Sequence, residues 1–197
     1  PDIAERGIML DISRCKVPSL LTLKRLIDQF SALKYNQLQL YTEHTFAFLN
    51  HETVWSQASP YNAADILEIK SYCNERYIDL VPNLNCFGHF ERWLKHPQYK
   101  SFAECPDGFV HPLTKNKIDI GSTLKPNKKS LGLINELHGE MLPLFDSDYF
   151  NIGGDEPWEL GEGWSKDRCK TLGTTAVYVD FIKQIQKLVE KRGRTMM

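Results

Sequence analysis

Asp155 and Glu156 are neighbours in the chain, preceded by Gly153 and Gly154 and followed by Pro157 and Trp158 in the stretch NIGGDEPWELGEG (151–163). Two carboxylates this close repel unless they share a proton, hold a cation, or divide the roles of charged base and neutral acid. The two glycines permit backbone conformations denied to other residues and allow close approach of another chain segment. Phe150 and Trp158 flank the pair with aromatic surface. The expectation is an apolar environment that raises one carboxyl's pKa. Trp158 also suits the apolar face of a sugar, although core packing is its commoner use.

An apolar run, YFNI (149–152), leads into this motif and reads as a strand. Similar runs lie upstream at 7–12 (GIMLDI), 37–41 (QLQLY) and 78–84 (IDLVPNL), with Pro82 marking where the third stops pairing. Amphipathic helices alternate with them. The first starts at Pro18–Ser19 and carries Leu23, Leu26, Ile27, Phe30 and Leu33 at helical spacing. The second starts at Asn62, a candidate N-cap. The third spans 128–145, and the fourth, 174–193, presents Tyr178, Phe181, Ile185, Leu188 and Val189 before Gly193. Residues 88–127 are rich in turn formers and read as a long functional loop.

Strand–helix alternation predicts a parallel sheet, either a doubly wound open sheet or a (β/α)8 barrel. No GxGxxG follows a strand, which disfavours dinucleotide binding. A barrel takes about 250 residues, so 197 residues with four units predict a TIM-barrel-type α/β fold of which about the first four βα units are present. Unpaired strand edges would remain, and residues 1–197 are expected to be the N-terminal half of a catalytic domain within a longer polypeptide.

In parallel α/β folds, reactive groups collect where strands end. The four exits carry Asp11, Ser13 and Arg14; Thr42, Glu43 and His44; Asn83, Asn85 and His89; and Asp155, Glu156 and Trp158. Surface loops are polar in any case, so no single one of these residues is diagnostic. Net charge is −1, which excludes a broad basic field for nucleic acid or anionic membrane. No run is long and apolar enough for a membrane helix, and PDIAERGIMLD at the start lacks the blocks of a secretory signal. The five cysteines are scattered without a CxxC pair and read as reduced, partly buried thiols.

Three stretches, RGIMLDISR (6–14), LVPNLNCFGH (80–89) and NIGGDEPWELGEG, resemble in order and spacing the family 20 glycoside hydrolases, the β-N-acetylhexosaminidases. The resemblance runs along essentially the whole chain. It implies substrate-assisted retaining hydrolysis of a terminal N-acetylhexosamine without cofactor or metal, an exception to the usual two-carboxylate scheme. It implies Glu156 as acid/base, Asp155 orienting the 2-acetamido group, His89 beside the acid/base, Arg6 holding outer hydroxyls, and Glu43 completing a polar relay. It also implies that the rest of the barrel closes the acetamido pocket.

Two departures stand out. Asn151 occupies a place where the family often has His, and YTEHTF replaces an Asp-rich segment after the second strand. Rival readings are a non-catalytic sugar-binding relative on the same scaffold, or a divalent-metal hydrolase using Asp155, Glu156, His89 and Glu43. The letters GGDE also open a cyclase signature, but Pro157 stands where that signature has Phe in a hairpin.

Overall fold

The computed structural model describes residues 2–197. In chain order its elements are β1 (Gly7–Asp11), α1 (Leu20–Ala32), β2 (Gln37–Tyr41), α2 (Glu52–Trp55), α3 (Ala63–Asn74), β3 (Asp79–Val81), α4 (Glu91–Leu94) and α5 (Pro97–Lys100). There follow β4 (Phe109–Val110), β5 (Lys117–Ile118), α6 (Lys128–Met141), a 3-10 turn at Leu142–Leu144, β6 (Tyr149–Phe150), α7 (Lys166–Leu172), α8 (Thr174–Glu190) and β7 (Thr195–Met196). The chain forms two compact units. One holds the residues up to Leu84 with His138–Asn151 and Arg194–Met197; the other holds Asn85–Leu137 and Ile152–Gly193.

The first unit is a parallel sheet. β1 pairs β2 from Gly7↔Gln37 to Asp11↔Tyr41, and β2 pairs β3 from Gln37↔Asp79 to Gln39↔Val81. An Asn83↔Asn151 bridge continues the parallel run toward β6, which pairs β7 through Tyr149↔Thr195. The strands therefore follow one another in chain order, without the reversal at which doubly wound sheets bind ligands. The sheet is open.

Local chemistry explains the helices. The Ser19 side chain accepts from the Thr22 N–H at the start of α1. Asn62 and Asp65 form a reciprocal capping box on α3. Leu23 and Ile27 are fully buried, and each such side chain is worth about 1.5–3 kcal/mol. Leu33 lies outside the helical stripe proposed from the sequence: it is the C-cap of α1 and 69% exposed.

One interior polar group on β2 departs from the apolar pattern. Gln39, buried, accepts through Oε1 from Asn83 Nδ2 at 3.0 Å and Asn151 Nδ2 at 2.9 Å. Its own amide donates to Gln37 Oε1 at 3.2 Å. Asn151, the residue at variance with the family pattern, thereby joins a polar cluster that runs from β2 to the residues just past β3 and β6.

The second unit is built on α8, whose Val177, Phe181, Ile185 and Val189 are fully buried. Phe87 packs on Phe181 and Tyr178, with ring centroids 4.7 and 5.8 Å away. The segment expected to be loop is partly ordered secondary structure: α4, α5 and the antiparallel hairpin β4–β5 lie within it. These pieces are too short to show a period in sequence. Phe90, Trp93 and Tyr99 form their aromatic core.

No helix among the described residues is long and apolar enough to cross a membrane. All five cysteines are free thiols; Cys15 is exposed and the other four are buried. Burial pushes the thiols of Cys73 and Cys105 up to about 12 and that of Cys86 higher still. A thiol reagent at pH 8 is therefore expected to modify one cysteine rapidly in the native protein and all five in denaturant, counted by mass spectrometry. Replacing Gln39 by Leu removes the acceptor of the buried Asn83 amide and the half-buried Asn151 amide, and is expected to destabilise the full-length protein by about 1–3 kcal/mol, measured by urea unfolding.

Candidate active site

The carboxylate pair and His89 are assembled wholly within the second unit. Three backbone bonds fix the segments that carry them. Cys86 N–H donates to Ile152 O at 3.0 Å, Leu124 N–H to Phe87 O at 3.0 Å, and Phe90 N–H to Ser122 O at 2.8 Å. Between these pins the chain turns sharply. His89 has φ +58 and Glu156 has φ +50, the left-handed region that side-chain-bearing residues rarely enter. Such strain persists only where the surroundings enforce it, and it concentrates at functional sites.

Glycines make the approach feasible. A Cβ on Gly88 would overlap the Asp155 carbonyl, and one on Gly153, at φ +63, would overlap Asn85 Oδ1. The two turns can lie this close only because those positions lack a side chain. His89 Nε2 consequently sits 3.0 Å from Asp155 Oδ2 and 3.4 Å from Glu156 Oε2. One imidazole therefore lies at ion-pair distance from both carboxylates, and in its protonated form its charge offsets their repulsion.

The pair stands partly in solvent, with Asp155 43% and Glu156 53% exposed at the side chain. These exposures depart from the apolar environment expected from the sequence. Phe150 belongs to the first unit, where it packs edge-on against His138. Trp158 is half-buried and lies 5.0 Å, centroid to centroid, from His111. Tyr178 OH donates to Gly154 O at 2.9 Å. Its own burial, and after that the Asp155 charge, push the phenol's pKa up, so it remains a donor.

Two buried carboxylates that sequence reading passed over brace this arrangement. Glu159, three residues beyond Glu156 and fully buried, accepts from the backbone N–H groups of Ser122 and Thr123 and from both their hydroxyls, at 2.9 and 2.8 Å. Ser122 in turn holds the Phe90 N–H, next to His89. Glu104 Oε1 accepts from the Ser165 N–H at 2.8 Å, the Ser165 hydroxyl and the Gly161 N–H. Their signal in the sequence, single acidic residues inside an apolar or turn-rich stretch, does not differ from that of a solvated loop.

The first unit holds Arg6 and Glu43. Glu43, buried at the exit of β2, accepts from Tyr41 OH at 3.0 Å and lies 3.3 Å from Arg14 Nη2. Arg14 also binds Asp11 Oδ2 at 2.6 Å and stacks over the Tyr41 ring. Burial of Asp11 works against its ionisation. The Ser13 N–H and the Arg14 guanidinium outweigh that and hold its carboxyl below the ordinary range. The hydrogen bond to Asp11 raises the Arg14 pKa, so the guanidinium stays charged. Arg6 lies instead at the start of β1, the end opposite to the strand exits. Its guanidinium is spent on the backbone carbonyls of Lys34, Ile3 and Ala4. Arg14, a strand-exit residue of β1, adjoins Glu43 instead. No group of three or more His, Cys, Asp or Glu among the described residues is arranged to hold a metal ion.

The family model described as glycosyl hydrolase family 20, catalytic domain, matches residues 4–197. A beta-hexosaminidase subunit A1 of Dictyostelium discoideum is 28% identical over 160 residues, covering 77% of this chain and 28% of its own. Among solved structures, a Flavobacterium johnsoniae chitobiase superposes with a TM-score of 0.79 at 28% identity, over 98% of this chain and 31% of that one. A mutant Streptomyces plicatus beta-hexosaminidase in complex with product GlcNAc gives 0.76 at 25% identity, over all of this chain and 39% of that one. The chain thus spans less than half the length of each of these relatives.

Removing the Glu159 carboxylate leaves four donors without their acceptor. Glu159→Ala is expected to cost about 3 kcal/mol or more of stability, read from denaturant midpoints of the full-length protein, whereas the exposed Glu162→Ala costs less than about 0.5 kcal/mol.

Proposed function

This chain belongs to glycosyl hydrolase family 20, and from that premise we propose that the complete protein is an exo-acting β-N-acetylhexosaminidase releasing terminal β-linked GlcNAc or GalNAc. The observation that supports this reading is the single imidazole of His89 in contact with both Asp155 and Glu156. The parallel strands in chain order are read as the opening part of a (β/α)8 barrel whose remaining strands complete the acetamido pocket.

The proposed chemistry divides the pair. Glu156, protonated, gives its proton to the glycosidic oxygen as the C1–O bond breaks and the electron pair leaves with that oxygen. The carbonyl oxygen of the sugar's own 2-acetamido group attacks C1 and forms an oxazolinium-like intermediate. Asp155, ionised, accepts the acetamido N–H and stabilises the positive charge that develops. Glu156, now a carboxylate, takes a proton from water as the water oxygen bonds to C1 and the oxazolinium ring opens, which retains the configuration. His89 stands within 3.0 and 3.4 Å of the two carboxylates, where it can exchange partners as their roles change. Within the first unit, Arg14 beside Glu43 replaces Arg6 as the candidate for binding hydroxyls, because Arg6 has its donors committed to backbone carbonyls. Trp158 contributes an aromatic face for a carbohydrate.

The full-length protein is expected to release chromophore from an aryl N-acetyl-β-glucosaminide with no response to EDTA. Glu156→Gln should lower kcat by about 10²–10⁴. Azide should restore turnover of an activated aryl glycoside to Glu156→Ala and not to Asp155→Ala. An inert wild type favours the sugar-binding relative, and EDTA-sensitive activity restored by Mg favours the metal hydrolase.

A further inference from the structure

Tyr178, in the second turn of α8, touches both of the backbone turns that carry the carboxylate pair and His89. Its ring centroid lies 5.8 Å from that of Phe87, the residue before Gly88, where the His89 turn passes the Asp155 carbonyl. Its hydroxyl donates to Gly154 O at 2.9 Å. The helix beneath is firmly seated, since Val177 beside it and Phe181 one turn on are fully buried. Packing against Phe87 asks only for a large ring at 178, which phenylalanine would supply equally well. The hydroxyl is surplus to that packing and has a partner in the backbone of the carboxylate turn.

Resting on the hexosaminidase reading, we propose that Tyr178 is a positioning residue for Asp155, acting through the Gly154 carbonyl to aim that carboxylate at the substrate's acetamido N–H. The freedom of the segment is the first argument. Gly153 and Gly154, at φ +63 and +88, follow Ile152 outside any helix or strand. Two glycines in succession have wide backbone freedom, and a swing there carries the Asp155 side chain with it. Gly154 O and the Asp155 N–H belong to one rigid peptide plane, so a bond that holds this carbonyl also fixes the direction in which Asp155 leaves the backbone. A Cβ on Gly154 would stand 3.2 Å from the Tyr178 hydroxyl and 3.4 Å from Ile182 Cδ1, so α8 lies directly against this turn.

Place and charge are the second argument. Tyr178 lines one open cleft of about 430 Å³ together with Gly154, Asp155 and Glu156, so its bond stands at the edge of the reacting space rather than deep in the core. Burial, and after it the Asp155 charge, push the phenol's pKa up, and the proton stays on the oxygen at neutral pH. The hydroxyl is thus a steady donor and adds no third negative charge beside the pair. His89 acts on the heads of the two carboxylates, whereas Tyr178 acts on the backbone from which one of them hangs. Such control matters because a misplacement of about 1 Å costs about 10²-fold in rate.

Tyr178→Phe keeps the ring against Phe87 and removes only the hydroxyl. In the full-length protein, assayed on an aryl N-acetyl-β-glucosaminide per mole of folded enzyme, it should lower kcat by about 10–100-fold and leave KM within about twofold. In an Asp155→Ala background the same replacement should cost less than about twofold, because a residue that works through Asp155 then has nothing to position. Val189→Ala, about three turns further along α8, should lower the urea midpoint and leave kcat unchanged. A wild-type kcat in Tyr178→Phe, a loss that persists in full without the Asp155 carboxylate, or an equal loss in Val189→Ala overturns the positioning role and leaves the hexosaminidase reading standing. A wild type inert on the aryl glycoside overturns both.

Discussion

Two backbone turns meet without room for a single methyl group, at Gly88 against the Asp155 carbonyl and at Gly153 against Asn85. Everything chemical in the second unit follows from that contact. It brings His89 onto both carboxylates, and it forces His89 and Glu156 into left-handed backbone that neither would choose. The conformational cost, of order 1–3 kcal/mol per residue, must be met by the surroundings. Phe87 seated on Phe181 and Tyr178 anchors one turn, and Tyr178 holds the other through Gly154 O. The adjacency of Asp155 and Glu156 is tolerable because a third group mediates between them.

Buried polar groups do comparable service at two further places. Glu159 and Glu104 each gather backbone N–H groups from a segment distant in sequence, and irregular loops that lack ladder partners need such acceptors. The stretch from 88 to 127 can therefore be ordered with only short elements in it. In the first unit, Gln39 performs the same task for Asn83 and Asn151. A single glutamine oxygen accepting two amide donors specifies the alignment of β2, β3 and β6 more sharply than aliphatic contacts would.

Asn151 illustrates how a local departure from a family pattern is absorbed. In the motif alone it stands out as a change of residue type beside the carboxylates. In the sheet it is a donor whose acceptor lies 112 positions earlier in the chain, at Gln39. Arg6 and Arg14 make the complementary point. Both belong to the same nine-residue stretch, and only the direction of β1 places one at the strand start and the other at its exit beside Glu43.

By itself the sequence determined the alternation of parallel strands and helices, the caps at Ser19 and Asn62, the adjacency of Asp155 and Glu156 behind two glycines, and, through its motifs, the family. Each is carried by short-range spacing or by a contiguous motif, where the apolar period and the residue types speak directly for local burial and local chemistry. The tertiary structure alone decided the rest: which arginine joins Glu43, what Asn151 binds, the hairpin within 88–127, the two bracing glutamates, and the openness of the carboxylate pair. These depend on which distant segments touch and on backbone angles imposed by their contact. A residue's own neighbours in the chain carry no record of that, because the same Glu is equally at home in a solvated loop and in a buried bracket of N–H groups.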